Sequence, residues 1–174
     1  MLDLETLRLA PGDVRRVQVA LDVEPLQFGG ELYTVEPADA GATVELQATA
    51  DGLYLKLRFA AAVVGPCYRC LEPARVRVKV NASEYQARGA GTIDDEMSCE
   101  YLEDDQLDVD RWARDALVLA LPGKILCRSD CAGLCPQCGA NRNREACSCE
   151  ESITDERWGA LLGIREEIAK KRES

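Results

Sequence analysis

The amino-acid sequence predicts an α+β protein: a mostly antiparallel β-sheet or open barrel with one packed helix, a cysteine-rich zinc-binding segment and a C-terminal helix. Three observations support this fold class. Four stretches in the first half alternate apolar and polar residues, which is typical of half-buried strands. One later stretch has helical periodicity, and eight of the nine cysteines form four close pairs.

The alternating stretches are the predicted strands, at residues 14–22, 43–48, 53–59 and 75–80. Asp51-Gly52 separates the second stretch from the third, and this dipeptide is a strong hairpin signal. Because each stretch has one polar side, we expect a sheet with one face exposed to water.

The packed helix is predicted at residues 109–121, where Pro122-Gly123 ends the helical pattern. Its apolar face is formed by Val109, Trp112, Ala113, Ala116, Leu117, Ala120 and Leu121. We expect this face to pack on the sheet, with Trp112 in the core.

The rest of the chain divides into two smaller parts. Residues 127–150 are rich in cysteine and poor in bulky apolar residues, so metal would have to supply the order that a core supplies elsewhere. An amphipathic helix is predicted at 154–171, with Thr154 as its N-cap. The predicted organisation is therefore a β-rich domain at 1–126, a zinc-binding segment at 127–150 and a C-terminal helix at 151–174.

Composition excludes several classes of function. The chain has no histidine, so mechanisms that need an imidazole base or ligand are excluded. A net charge of -10 argues against binding nucleic acid mainly through phosphate contacts and favours a basic partner. The N-terminal residues lack a secretory pattern, and the longest apolar run, residues 59–64, is too short to span a bilayer. These features predict a cytoplasmic protein without membrane contact.

Paired cysteines in a reducing cytosol are more often metal ligands than disulfides. The pairs are Cys67/Cys70, Cys127/Cys131, Cys135/Cys138 and Cys147/Cys149. Four thiolates fill the coordination sphere of one zinc ion, so four pairs are the ligands of two structural sites. Cys99 has no partner nearby in the sequence and is expected to be a free thiol or a packing residue.

Cys67 and Cys70 also raise a redox alternative, because a CxxC pair gains a low thiol pKa at a helix N-terminus. This pair instead lies between two predicted strands, which disfavours thioredoxin-type catalysis. Eight thiolates in two complete sets leave no open coordination position for an enzyme. We therefore predict no catalytic residue and no small-molecule substrate, with a zinc- or redox-responsive regulatory protein as the alternative function.

Several motifs follow one another along the chain: CYRCLEP, LALP, LCRSDCAGLCPQCGANRN, CSC and DERWGALL. Together they resemble the YceD family of large ribosomal RNA subunit accumulation proteins. The resemblance implies a non-enzymatic cytosolic factor that supports accumulation of large-subunit (23S) ribosomal RNA and ribosome biogenesis. It also suggests two separable metal sites, because some family members lack the CPxCG and CxC pairs but keep the CxRC pair.

With that suggestion, we predict that the four cysteine pairs combine two by two. One zinc site would be formed by Cys67, Cys70, Cys127 and Cys131, and the other by Cys135, Cys138, Cys147 and Cys149. A single site from Cys127, Cys131, Cys135 and Cys138 is the alternative. The predicted cofactor is thus structural Zn²⁺, two ions per chain or, in the alternative, one.

One predicted partner is a basic large-subunit ribosomal protein. Residues 92–110 contain acidic groups and no lysine or arginine. Such a run is typical of a solvated loop, but it could also attract a cationic protein. The candidate residues are Asp94, Asp95, Glu96, Glu100, Glu103, Asp104 and Asp105.

The other predicted partner is ribosomal RNA or an assembly intermediate that contains it. Basic residues lie in or beside the cysteine motifs, at Arg69, Lys124, Arg128, Arg142 and Arg144. Zinc knuckles bind single-stranded RNA. Aromatic residues for base stacking are scarce in this region, where only Tyr68 is well placed.

Overall fold

The computed structural model describes residues 1–36, 41–88 and 98–149. The chain divides into two compact units, Met1–Ala132 and Gly133–Ser174. This boundary lies inside the predicted zinc segment 127–150, so Cys127 and Cys131 belong to the first unit. The helix predicted at 154–171 lies outside the described residues and stays a prediction.

The first unit is built on antiparallel strands. They are β1 (Leu2–Asp3), β2 (Val14–Ala20), β3 (Leu26–Phe28), β4 (Glu31–Glu36), β5 (Gly41–Ala48), β6 (Gly52–Pro66), β7 (Pro73–Ala87), β8 (Leu102–Glu103) and β9 (Gln106–Leu107). The large sheet has the order β2-β5-β6-β4-β3, with β7 also paired to β6, and the small sheet has the order β1-β9-β8. Both sheets are open across the part of the chain that is described. The predicted fold class is therefore confirmed in its open-sheet form.

Strand β6 organises the large sheet because both of its edges are paired. Strand β7 follows it along one edge over the whole length, from Gly52↔Ala87 to Pro66↔Pro73. On the other edge, β4 pairs with the end of β6 and β5 with its beginning. The hairpin predicted at Asp51-Gly52 is present, since the Thr49 N–H donates to the Gly52 carbonyl at 2.8 Å.

Side-chain alternation gives the large sheet a core face and an opposite face, which we call the outer face. Val44, Leu46, Leu55, Leu57 and Val63 are fully buried on the core face. Burying this much branched aliphatic surface is the main source of stability for the unit. The outer face carries the residues at the intervening positions.

Helix α1 (Val109–Ala120) packs against β7. Its buried residues are Val109, Trp112, Ala113, Ala116 and Leu117. The prediction that Trp112 is core is confirmed, since its side chain is 1% exposed and its ring stacks on Tyr101 at 6.0 Å. The predicted face was too long by one turn, because Ala120 is exposed and Leu121 is already extended. A proline disfavours helical geometry at the residue before it, and Pro122 follows Leu121.

The start of α1 depends on a side-chain cap. Asp108 accepts a hydrogen bond from the Arg111 N–H at 3.0 Å. We expect Asp108→Ala to lower the free energy of unfolding by about 1 kcal/mol, whereas Asp108→Asn, an equally good cap, should change it little. Urea denaturation of both variants checks this. Equal destabilisation by both would mean that the charge at this position matters and the cap does not.

In the part of the chain with a described structure, no helix is long and apolar enough to cross a membrane.

Candidate metal centres

The first cysteine group joins the β6–β7 connection to the segment after α1. The Sγ atoms of Cys67 and Cys131 lie 3.8 Å apart, and those of Cys70 and Cys127 lie 3.6 Å apart. All four Sγ atoms lie within 4.8 Å of one another. Four sulfurs around a tetrahedral zinc, with Zn–S bonds of about 2.3 Å, are separated by about 3.8 Å. The group therefore fits one zinc ion.

A tight backbone turn presents Cys67 and Cys70 to this group. The Cys67 N–H donates to the Glu72 carbonyl at 2.7 Å, and the Leu71 N–H donates to the Cys67 carbonyl at 3.0 Å. Leu71 has a φ of 61°, in the left-handed region that is unfavourable for a leucine. The Tyr68 N–H donates to the Ile125 carbonyl at 2.8 Å, which ties the turn to the segment that carries Cys127 and Cys131.

The second cysteine group contains the same turn. The Cys135 N–H donates to the Ala140 carbonyl at 2.8 Å, and the Gly139 N–H donates to the Cys135 carbonyl at 2.9 Å. Gly139 has a φ of 74° and occupies the position that Leu71 has in the first group. Both groups therefore contain a zinc-knuckle turn, although only the second has the CPxCG sequence. The equal spacing of CYRCL and CPQCG was the sequence signal for this likeness.

The second group is completed by the last cysteine pair. The Sγ atoms of Cys135, Cys138, Cys147 and Cys149 all lie within 4.8 Å of one another. The structure thus brings the cysteines together in the two sets that the sequence analysis preferred. The sulfurs of the alternative single site are divided between the sets, since Cys127 and Cys131 lie in one and Cys135 and Cys138 in the other.

The two groups differ in burial. In the first, Cys67 and Cys131 are fully buried and Cys70 is 4% exposed. In the second, only Cys135 is buried, and Cys138 is exposed. The first group is therefore part of the core of its unit, whereas the second lies in a more exposed segment that has few apolar residues.

The pKa values of the thiols favour a cation at each group. Burial opposes ionisation of Cys67, but N–H groups of Cys127, Arg69 and Cys70 donate to its sulfur and together lower its pKa to about 6. N–H groups of Cys138 and Gln137 likewise lower the pKa of Cys135 to about 6.

Other thiols of the same groups are held protonated. Burial, together with the neighbouring sulfurs of Cys70, Cys131 and Cys67, raises the pKa of Cys127 to about 12. The sulfur of Cys138, with burial, raises the pKa of Cys149 to about 12. Four adjacent sulfurs can all ionise only when a cation lies between them, and a zinc ion supplies that charge.

Three of the predicted basic residues surround the first group. Arg69 donates through Nη1 to the Cys131 carbonyl at 2.7 Å, so its guanidinium supports a ligand-bearing segment. The Lys124 ammonium lies 5.1 Å from the centre of the Tyr68 ring, which is itself 62% exposed. Arg128 forms an ion pair with Asp130 at 3.4 Å.

The remaining two basic residues belong to the second unit. The Arg142 N–H donates to the Gly133 carbonyl at 3.0 Å, and the Arg144 N–H donates to the Asn141 carbonyl at 2.9 Å. Both backbones therefore help to close the loop between the two cysteine pairs of the second group. RNA binding by these five residues stays a prediction.

The predicted acidic surface is described only in part, since Asp94, Asp95 and Glu96 lie outside the described residues. Asp104 and Asp105 form the two-residue turn between β8 and β9, with φ of 46° and 58°. Aspartate is favoured in such turns because it tolerates positive φ. The turn therefore explains why these two positions are acidic, and no binding partner is needed to explain them.

Two further acidic residues of this set have local structural roles. Glu100 pairs with Arg111 at 3.3 Å, and Glu103 lies on strand β8. Docking of a basic protein on this surface stays a prediction.

Cys99 lies outside both groups. It is 2% exposed, and its N–H donates to Gln86 Oε1 at 2.8 Å. Burial raises the pKa of its thiol, with further contributions from the charges of Glu84 and Glu100. Cys99 therefore behaves as a small buried packing residue and provides an internal reference for the cysteines of the two groups.

Most of the chain is similar to one known protein family. Residues 55–165 match the family model "Large ribosomal RNA subunit accumulation protein YceD", and this match covers most of the chain and all eight paired cysteines. The chain belongs to the YceD family. The name of the YceD family refers to accumulation of an RNA and not to a chemical reaction.

Relatives of this YceD protein occur in bacteria and plants. Uncharacterized proteins of Mycobacterium bovis and Mycobacterium tuberculosis are 33% identical over 170 residues, which span 92% of this chain and 79% of each relative. An Arabidopsis thaliana protein, large ribosomal RNA subunit accumulation protein YCED homolog 1, chloroplastic, is 33% identical over 66 residues. These residues are 38% of this chain and 21% of the plant protein. No solved structure matches the chain.

Proposed function

We propose that this YceD protein is a non-catalytic, cytoplasmic factor that supports accumulation of large-subunit ribosomal RNA and that two structural zinc ions order its binding surface. The observation that carries the proposal is the pair of complete four-sulfur groups. Four thiolates saturate a tetrahedral zinc, so neither site would keep the open position that a catalytic zinc requires. The family name supports the connection to ribosomal RNA.

Each zinc ion would act as a cross-link. At the first group it would fasten the β6–β7 turn to the segment after α1, between residues that lie 57 and 64 positions apart. At the second group it would close a short loop that has little apolar surface to bury. An ion at the second group would therefore replace core packing that this segment cannot supply, whereas an ion at the first group would cross-link a part of the unit that is already buried.

The structure favours RNA over a basic protein as the partner. Beside the first group, the exposed Tyr68 ring and the Lys124 ammonium lie next to each other, which suits a base and its phosphate. The alternative of a redox-responsive regulator gains no support from the first group, because Cys67 and Cys131 are fully buried and thiol sensors are accessible.

A gene-deletion strain tests the proposed function. We expect the ratio of 23S to 16S ribosomal RNA to fall in the deletion strain and to be restored by the wild-type gene. Affinity capture of the protein from growing cells, with and without nuclease treatment, identifies the partner class. Ribosomal RNA fragments should be recovered, and large-subunit proteins should be lost after nuclease treatment. A normal ratio in the deletion strain would contradict the function, and nuclease-resistant capture of one basic protein would contradict the RNA partner.

A further inference from the structure

The outer face of the large sheet has a positive charge that the whole chain does not have. Among the described residues it carries six cationic side chains against two carboxylates. The cations are Arg16, Lys56, Arg58, Arg75, Arg77 and Lys79, and the carboxylates are Glu36 and Glu45. The chain as a whole has a net charge of -10. Because a local field depends on nearby charges, the net charge does not describe this face.

The register between β6 and β7 places two of these cations opposite alanine residues of β6. Lys79 pairs with Ala60, and Arg77 pairs with Ala62, so no bulky neighbour on β6 fills the space beside them. A shallow depression of about 480 Å³ lies here, lined in part by Arg75, Arg77 and Lys79. Alternate residues of one strand are about 6.6 Å apart. That separation is close to the distance between consecutive phosphates on an extended single strand of nucleic acid.

Much of this positive charge is not neutralised within the sheet. Arg75 pairs with Glu36 at 3.2 Å, and Arg16 pairs with Glu45. Among the residues that the structure describes, no carboxylate lies within ion-pairing distance of Arg77 or Lys79.

The pKa of Glu45, one of the two carboxylates on the outer face, is affected by the same cations. The hydrogen bond from Arg16 lowers the pKa of Glu45, and the charges of Arg58 and Lys56 lower it further. Three cations thus act on one carboxylate, and the face keeps an excess of positive charge.

Two aromatic residues lie at one end of the outer face. Tyr54 and Tyr85 are directly paired across β6 and β7. Both side chains are half-buried. The Lys56 ammonium lies 5.4 Å from the centre of the Tyr54 ring. Sheets that bind single-stranded RNA present aromatic rings on an open face for base stacking, next to cations that follow the backbone.

We propose that the outer face binds single-stranded RNA, with phosphates on the row formed by Arg75, Arg77 and Lys79 and bases on Tyr54 and Tyr85. This proposal deepens the proposed function and rests on it, since it assigns the RNA contact to the outer face of the sheet and not to the basic residues in and beside the cysteine motifs. An acidic protein would require the cations but not the aromatic pair. The combination therefore favours RNA.

A binding assay with the full-length, zinc-loaded protein tests the proposal. The probe is a fluorescently labelled single-stranded RNA 12-mer of mixed sequence, and anisotropy is measured across a salt series. We expect Arg77→Glu with Lys79→Glu to weaken binding at least about tenfold. The slope of log K against log salt should become shallower by about 1.4, since each phosphate contact on a single strand contributes about 0.7.

Two further variants separate the contribution of the cations on the outer face from that of the overall charge and from that of the aromatic rings. Arg142→Glu with Arg144→Glu makes the same change of net charge at two of the alternative RNA-binding residues, and we expect a smaller loss of affinity than for Arg77→Glu with Lys79→Glu. Tyr54→Leu keeps an apolar strand residue, and we expect it to weaken binding severalfold with the salt slope unaltered. Thermal melts of all variants check that the substitutions leave the fold intact.

The opposite results would overturn the proposal. They are wild-type affinity of the Arg77/Lys79 variant, an equal loss for the Arg142/Arg144 variant, absence of RNA binding by the wild-type protein, or tighter binding of a polyglutamate peptide than of RNA. The proposed function is judged separately by the 23S to 16S ratio. A variant that loses RNA binding in vitro but restores this ratio would refute the assigned surface and leave the function standing.

Discussion

Replacing Cys131 by alanine is expected to remove one of two zinc ions per chain and to lower the free energy of unfolding by more than about 4 kcal/mol. Cys131 is fully buried, and its sulfur lies 3.8 Å from that of Cys67. Losing it would leave the thiols of Cys67, Cys70 and Cys127, two of them buried, without a complete coordination sphere. Loss of a structural metal is one of the few mechanisms that produces an effect of this size. Elemental analysis of the purified variant and guanidinium denaturation measure the two quantities.

Cys99→Ala is the matched control for this experiment. Cys99 is 2% exposed, so the substitution removes the same atom from a similarly buried position outside both cysteine groups. We expect it to keep two zinc ions and to lower the free energy of unfolding by about 1 kcal/mol. Equal losses for the two variants would show that Cys131 contributes packing and no metal bond.

Replacing Cys135 by alanine is expected to remove the other zinc ion and to unfold the second group locally. Cys135 is the buried member of this group, whose other sulfurs are exposed or half-buried. Because little apolar surface holds the loop, we expect its order to depend on a bound metal. We expect trypsin to cleave after Arg142 or Arg144 at least about tenfold faster, because local unfolding exposes these peptide bonds. The melting temperature of the first unit should not change.

Pro136→Ala is the control in the same turn, since it keeps all four sulfurs and changes a neighbouring residue. We expect two zinc ions and nearly wild-type cleavage for this variant. Mass spectrometry of the fragments and zinc analysis measure the outcome. Loss of both zinc ions on substitution of Cys135 would contradict two independent sites.

Much of the fold was readable from the sequence because its signals are local. Alternation over residues 53–59 and 75–80 identified the centres of β6 and β7, and helical periodicity identified α1 to within one residue. The extension of β6 through Ala60, Ala61 and Ala62 was not predicted, because a run of alanines carries no alternation and favours helix. Pairing with β7 along the whole run, and with β4 at Ala62, holds this run extended.

The cysteine pairs were equally readable, because metal ligands have recognisable spacing. Their combination two by two depended on the family resemblance, since Cys67 and Cys131 are joined only by the tertiary fold. The outer face was not recognised for a related reason. The sequence RVRVKV predicts one basic row, but the positions of Lys56 and Arg58 beyond the Lys79 end of this row depend on the register between β6 and β7. A single sequence does not specify that register.

The connectivity of the first cysteine group has a consequence for synthesis of the protein. Its ligands are supplied by both the middle of the first unit and its very end, so the site cannot be completed until residue 131 has left the ribosome. The second group needs only the 15 residues from Cys135 to Cys149. Metal binding at the first group would therefore come late relative to synthesis of the strands on either side of Cys67 and Cys70. A nascent chain truncated before Cys127 would have its sheet but not the metal cross-link.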